Sequence, residues 1–144
     1  MAGKILLEVV TPEKLLLSQE VDEVIAPGSE GEFGVLPGHC HLLSSLRIGE
    51  LRYKTQDAWH YMSILWGYAE VTPSKVTVMA EIAEKAEDID VGRAQQAVEK
   101  AEQRLQAGGL PSEVKEAQIS LENARLRKQI AYRAKKSGRA QPLF

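Results

Sequence analysis

Four side chains with acid–base or nucleophilic chemistry fall close together early in the chain: Glu32, His39, Cys40 and His41. A positioned carboxylate and imidazole can move a proton, and a thiolate beside an imidazole can attack a carbonyl. The surroundings supply little else for such work. The chain has no Ser or Cys nucleophile motif and no evident carboxylate pair. The run His39-Cys40-His41 lacks the spacing of a helical or zinc-finger metal site. Cys40 is the single cysteine; it excludes an internal disulfide, suits a reducing compartment and reads as an inert thiol before a nucleophile. A different chemistry fits Glu32 and His39 better. Gly28, Gly31, Gly34, Gly38 and Pro37 punctuate the twelve residues from Gly28 to His39. This spacing predicts shaped turns around one short strand at Phe33–Leu36. Such turns on a rigid scaffold present side chains to a partner.

Charge forms a second pattern. The net charge is −2, but residues 1–111 hold ten basic and seventeen acidic side chains, and residues 112–144 hold eight and three. The balances are therefore −7 and +5. Beyond Glu122 only basic side chains remain: Arg125, Arg127, Lys128, Arg133, Lys135, Lys136 and Arg139. Two readings stay open: an acidic partner for the tail, or a solvated basic helix end favoured by the helix dipole. No Walker P-loop is present, so any phosphate binding rests on side chains. No run reaches the eighteen apolar residues of a membrane span, and the N-terminus shows no secretory signal.

Two periodicities position these groups. Short apolar runs fill the first half: Lys4–Val10, Val21–Ala26, Leu42–Leu46, Glu50–Lys54, Trp59–Trp66, Tyr68–Thr72 and Lys75–Ala80. Separated by Gly, Pro and Ser turns, they predict an all-β sandwich or barrel. Trp59, Tyr61, Trp66 and Tyr68 are expected as large core or edge fillers. An aromatic nucleic-acid platform is disfavoured, because this acidic half repels phosphate. From Asp90 the period becomes helical. Asp90 is a candidate N-cap, and Ala94, Ala97, Val98, Ala101 and Leu105 recur at three- and four-residue spacing. Gly108-Gly109 ends this helix, and Pro111 opens a second. The second carries Val114, Ala117, Leu121, Ala124 and Ala131 on one stripe, with Ile119, Leu126 and Ile130 offset from it. The short link predicts an antiparallel hairpin. Its seam is mostly alanine, which buries little area, so the hairpin is expected to be thinly stabilised and movable.

Three segments carry a resemblance. Gly31-Glu32-Phe33-Gly34-Val35-Leu36-Pro37-Gly38-His39 is similar to the GELGILPGH-type segment of the ε subunits of F-type ATP synthases. Leu7-Glu8-Val9-Val10-Thr11-Pro12-Glu13 resembles that family's first strand and turn, and Ala83–Asp90 its junction between halves. The resemblance implies an α+β fold, a flattened ten-stranded β-sandwich (1–86) followed by a two-helix hairpin (87–144). It implies a non-catalytic rotor subunit of the central stalk, coupling proton translocation to ATP synthesis. The β half would contact the γ subunit and the c ring. The helices would fold down or extend along γ toward the αβ head, where they inhibit ATP hydrolysis. No metal or required cofactor and no nucleic acid is implied, and membrane association comes only through the complex. The expected location is the cytoplasmic face of a bacterial inner membrane; a plastid-encoded chain would also lack a transit peptide.

The same resemblance assigns residues. Glu32 and His39, with Gly31, Gly34, Pro37 and Gly38 shaping the turn, match positions that meet the polar loops of the c ring or γ. Arg125, Arg127, Lys128, Arg133 and Lys135 match the basic second helix that meets an acidic loop of the β subunit. Ile89-Asp90-Val91-Gly92-Arg93-Ala94 is similar to the I/L-D-x-x-R-A motif of ε subunits that bind ATP as a regulator. That pattern implicates Glu84, Asp90, Arg93, Lys100 and Arg127. Two departures weaken it: Lys100 stands where the family has arginine, and Asn123 replaces another. Lysine brings charge without a planar fork, and asparagine brings no charge.

Overall fold

The computed structural model describes residues 3–140, with side chains through Lys135. The side chains of Lys136 and Arg139 lie outside the described residues. The chain divides into two compact units, Met1–Lys85 and Ala86–Phe144.

The first unit holds eight strands: β1 (Ile5–Val10), β2 (Leu15–Val21), β3 (Glu23–Gly28), β4 (Gly31–Val35), β5 (Leu42–Leu46), β6 (Gly49–Thr55), β7 (Ala58–Val71) and β8 (Lys75–Lys85). Among the described residues the count is eight, against the ten expected. Leu15–Val21 forms a strand although it lacks a strict apolar–polar alternation. The run from Val21 breaks at Asp22, so Val21 closes β2 and Val24 belongs to β3. The two runs around Trp66 are one fourteen-residue strand, β7.

That long strand organises the sandwich. Up to Ile64, β7 pairs with β6; from Gly67 it pairs with β5; β8 follows it along the other edge. A strand that changes neighbours in this way turns the corner between two layers. β1 pairs antiparallel with β2 and parallel with β8, extending one layer, while β3 pairs with β4 and β6 in the other. Alternation then directs Ile5, Leu7 and Val9, Val76 and Val78, and Met62 and Ile64 inward, where all are fully buried. Among the described residues Tyr53 is the one aromatic buried in this core, and Phe33 packs against it from a partly buried position. Trp66 and Tyr68 are 41% and 57% exposed and Trp59 and Tyr61 are half-buried, so of the expected core or edge placement the core half does not hold.

The second unit begins with a 3-10 turn at Ala86–Asp88 and continues as α1 (Val91–Ala107) and α2 (Pro111–Ala140). Asp90 caps α1, its Oδ1 accepting from the Arg93 amide at 3.0 Å, and Gly108 ends the helix at φ 70°. The seam buries Ala94, Val98 and Ala101 of α1 against Ala117, Leu121 and Ala124 of α2.

Candidate functional site

The glycine-rich turn region resolves into two separate places. Glu32 lies near the start of β4, opposite Pro27 of β3. Its two carboxylate oxygens each accept from Arg52 Nη2 at 3.3 Å. Arg52 stands on β6, and its Nε lies 3.4 Å from Glu50 Oε1, an ion-pair separation. The trio is graded in exposure: the side chains of Glu50, Arg52 and Glu32 are 11%, 25% and 51% exposed. It carries a net charge of −1, and Glu32 is its outward end. His39 lies beyond the opposite end of β4. There the Gly38 amide donates to the Pro73 carbonyl at the β7–β8 turn. His39 Nδ1 donates to the carbonyl of Cys40 at 2.7 Å. Glu32 and His39 are therefore not one site. Gly31 and Gly38 supply positive φ at the two ends, and Pro37 precedes the second turn. Gly34 sits in β4 itself, opposite Ile25.

A larger feature escaped the sequence reading. Ser45, Tyr68, Met79, Val10 and Leu15 are successive register partners across β5, β7, β8, β1 and β2. They form one outward row, in which Tyr68, Met79 and Leu15 are 57%, 44% and 54% exposed. Trp66 stands beside it, at the step where β7 changes neighbours. An open groove of about 740 Å³ is lined there by Pro12, Leu46, Trp66, Tyr68, Met79 and Glu81, among others. The adjoining row runs through Leu43, Glu70, Thr77, Glu8 and Ser18 and is polar apart from the exposed Leu43 at its end. In it Lys75 Nζ donates to Glu8 at 2.7 Å and holds that carboxyl below its usual range. Lys4 does the same for Asp22 at the other end of the unit. A contiguous exposed apolar row beside a groove marks a protein-contact surface. The signal was present in Tyr68-Ala69-Glu70-Val71: Ala69 and Val71 face inward, which turns Tyr68 out.

The hairpin has two flanks. Helix positions seven apart share a side, and positions two apart lie about 200° round the axis. Arg93 and Lys100 thus share one flank of α1, with Arg104, which reaches Glu116 of α2 at 3.9 Å. Arg127 falls on that same flank. Arg125, Lys128 and Tyr132 instead line a groove of about 340 Å³ with Val91 and Val98 on the other flank. The basic set of α2 is accordingly split. Arg133 is half-buried and Lys135 exposed. Of the residues implicated in nucleotide binding, Arg93, Lys100 and Arg127 share a flank, and Asp90 is engaged as the cap. Glu84 belongs to the other unit, on β8 opposite Ser63.

Comparison with known proteins now bears on both units. A family model described as ATP synthase, Delta/Epsilon chain, beta-sandwich domain matches residues 4–86, and its long alpha-helix domain counterpart matches residues 87–131. The chain is 51% identical over 131 residues to the ATP synthase epsilon chain of Syntrophobacter fumaroxidans, covering 91% of this chain and 98% of that one. It is 50% identical over 137 residues to the ATP synthase epsilon chain of Citrifermentans bemidjiense, covering 93% and 98%. Among solved structures, a chain of the Euglena gracilis mitochondrial ATP synthase shares the fold with a TM-score of 0.76 at 24% identity, covering 87% of this chain and 79% of that chain. A chain of the Tetrahymena thermophila mitochondrial ATP synthase central stalk and c ring does so with a TM-score of 0.63 at 14% identity, covering 90% and 98%. The sandwich and the hairpin are thus matched in order by the two halves of one family, and the chain belongs to the ATP synthase delta/epsilon chain family.

Proposed function

We propose that this chain is a non-catalytic rotor subunit of the ATP synthase central stalk, coupling proton translocation to ATP synthesis and restraining ATP hydrolysis through its C-terminal helices. The observation that carries the reading is the match of both units, in order, to the one family over residues 4–131. The exposed apolar row adds physical support, since it offers the sandwich a face for a protein neighbour. The γ subunit is that neighbour, and the turn bearing Glu32 meets the polar loops of the c ring. The extended hairpin reaches the α and β subunits. No helix among the described residues is long and apolar enough to cross a membrane; attachment comes through the complex, at the cytoplasmic face of a bacterial inner membrane. The acidic sandwich repels nucleic acid, and no cofactor is required. Affinity purification of the tagged chain from membranes tests the reading. Co-elution of γ and c subunits is expected; a chain eluting alone, whose deletion leaves ATP-driven proton pumping unchanged, would sink it.

Inhibition rests on Arg125, Arg127, Lys128, Arg133 and Lys135. Exposed ion pairs are worth about 0–1 kcal/mol each, but several acting together can bias a two-state hairpin by a few kcal/mol. Reversing their charges relieves inhibition in the reconstituted complex; unchanged hydrolysis refutes the role. Weak regulatory ATP binding is the further part of the proposal, supported by the shared flank of Arg93, Lys100 and Arg127. Calorimetry of the isolated chain with Mg-free ATP decides it: absence of heat at millimolar nucleotide ends the idea.

A further inference from the structure

Trp66 combines three features that fold stability alone does not ask for. Its φ is 50°, in the left-handed region that bulky side chains avoid. It occupies the step between the register pairs Leu65–Ile82 and Gly67–Ala80, the interruption in the β7–β8 ladder. Its indole is 41% exposed and lines the 740 Å³ groove rather than the core. The next residue shows how tight this step is, because a Cβ on Gly67 would stand 2.0 Å from the Met79 carbonyl oxygen. A strained residue held in place by its surroundings is a pointer to function.

We infer that Trp66 is the anchor by which the sandwich grips its stalk partner, with the groove receiving an apolar segment flanked by cationic side chains. The inference rests on the stalk reading above and names the residue that would dominate the contact. Charge complementarity selects the occupant. Glu81 lines the groove with Trp66, Glu70 stands in the adjoining row, and both are exposed. The groove lining contains no lysine or arginine. The unit as a whole carries twelve acidic and seven basic side chains through Lys85. A second copy of this chain would bring the same acidic rim and meet repulsion. An exposed tryptophan beside Tyr68 and Met79 has the composition and placement of an interface hot spot.

The test separates anchoring from folding. Trp66→Gly and Trp66→Ala both remove the indole, but only glycine accepts φ 50° without strain. The glycine variant should therefore melt higher than the alanine variant by about 2–5 °C, reversing the usual order in a strand. Binding of the full-length variants to purified γ subunit is then measured by titration. Both variants should lose affinity equally, by about 30-fold or more, with Trp66→Phe retaining part of it. Affinity within about twofold of the unaltered chain would overturn the inference. So would a glycine variant that binds much better than the alanine variant, because binding would then merely follow stability. Self-association of the unaltered chain, abolished in both variants, would assign the groove to a second copy and overturn it as well. Failure of the unaltered chain to bind γ would overturn the stalk reading itself, which is a distinguishable result.

Discussion

The outward row of the sandwich and the seam of the hairpin present opposite solutions to placing a contact surface. The row is pinned: its three inner members each hold two register pairs and its two end members one, above a core of fully buried Ile, Leu, Val and Met. The seam is lean. Its central cluster is Val98, Ala101, Leu121 and Ala124, with Ala97 and Leu105 packed against it, and beyond that cluster the unit buries Ile89 and Ile130 among further alanines. Burial of a Leu or Val contributes about 1.5–3 kcal/mol, whereas an alanine methyl contributes well under half of that. A pinned surface suits an element that must transmit load without yielding. A lean seam suits one whose conformation a partner or ligand can change. The contrast is the one the proposed function asks for, with coupling assigned to the first unit and regulation to the second.

The largest expected effect comes from the pinned side. Gly67→Ala would place a Cβ 2.0 Å from the Met79 carbonyl oxygen and 2.8 Å from Ala80 Cα. Both are backbone atoms in the neighbouring strand, so β7 and β8 must separate locally. A loss of about 3–5 kcal/mol is expected, read by urea unfolding of the sandwich. Gly109→Ala makes the paired control. Its φ is also positive, but the added Cβ meets the end of the flexible Glu113 side chain. A loss of only about 1 kcal/mol is expected there. Equal costs at the two sites would break the contrast between a rigid and a yielding unit.

Leu121→Ala sharpens the contrast from the lean side. Leu121 is 8% exposed and is the largest buried side chain of the Val98–Ala101–Leu121–Ala124 cluster. Its truncation removes about 2–4 kcal/mol, a large share of what that cluster can contribute. Amide exchange across α1 and α2 should therefore rise while that of β1, β7 and β8 is unchanged. Leu51→Ala, in the sandwich core, costs a similar amount but should leave a cooperative unfolding transition. Unchanged protection of the helices in Leu121→Ala would show that the seam does not govern the hairpin.

How far these elements were legible in the sequence follows the same division. The hairpin was almost fully readable, because caps and seam are local: Asp90, Gly108, Pro111 and the alanine spacing act within a few residues. The strands were readable where alternation was clean, as in β1 and β8. β2 was missed because Ser18, Gln19 and Glu20 are all exposed, which conceals its two inward positions. β7 was divided in two at Trp66-Gly67, because the glycine signals a turn while the actual event is a change of neighbour. The Glu32–Arg52–Glu50 trio joins residues twenty positions apart through β-pairing that no local pattern reveals. Glu32 itself could be named from its turn, but its partner could not.

That trio carries the next prediction. Arg52→Gln withdraws the cation from Glu50, whose side chain is only 11% exposed, and should cost about 1–3 kcal/mol. Glu32→Gln removes a half-exposed partner and should cost about 0–1 kcal/mol. The ordering is the informative result. If the two variants unfold at the same urea midpoint, Glu50 does not hold Arg52, and Glu32 is not the releasable end of the trio.

The smallest effect is electrostatic and belongs to the same pinned unit. Lys75 holds the Glu8 carboxyl below its usual range, with a smaller contribution from Ser18, and Lys4 does the same for Asp22. A carboxyl whose pKa is lower folded than unfolded lends its stabilisation in full above the ordinary carboxylate pKa. That contribution fades as pH falls through the lower, folded value. The sandwich should therefore lose stability on acidification below the ordinary carboxylate range and gain none from a shift toward alkaline pH. Glu8→Gln should flatten the acid limb in urea midpoints collected across that range, while changing the neutral midpoint little, because both partners are solvent-facing and screened. High salt should flatten it in the same way. An acid limb as steep in Glu8→Gln at high salt as in the unaltered chain would mean that Glu8–Lys75 merely decorates the polar row and takes no part in pinning β1 to β8.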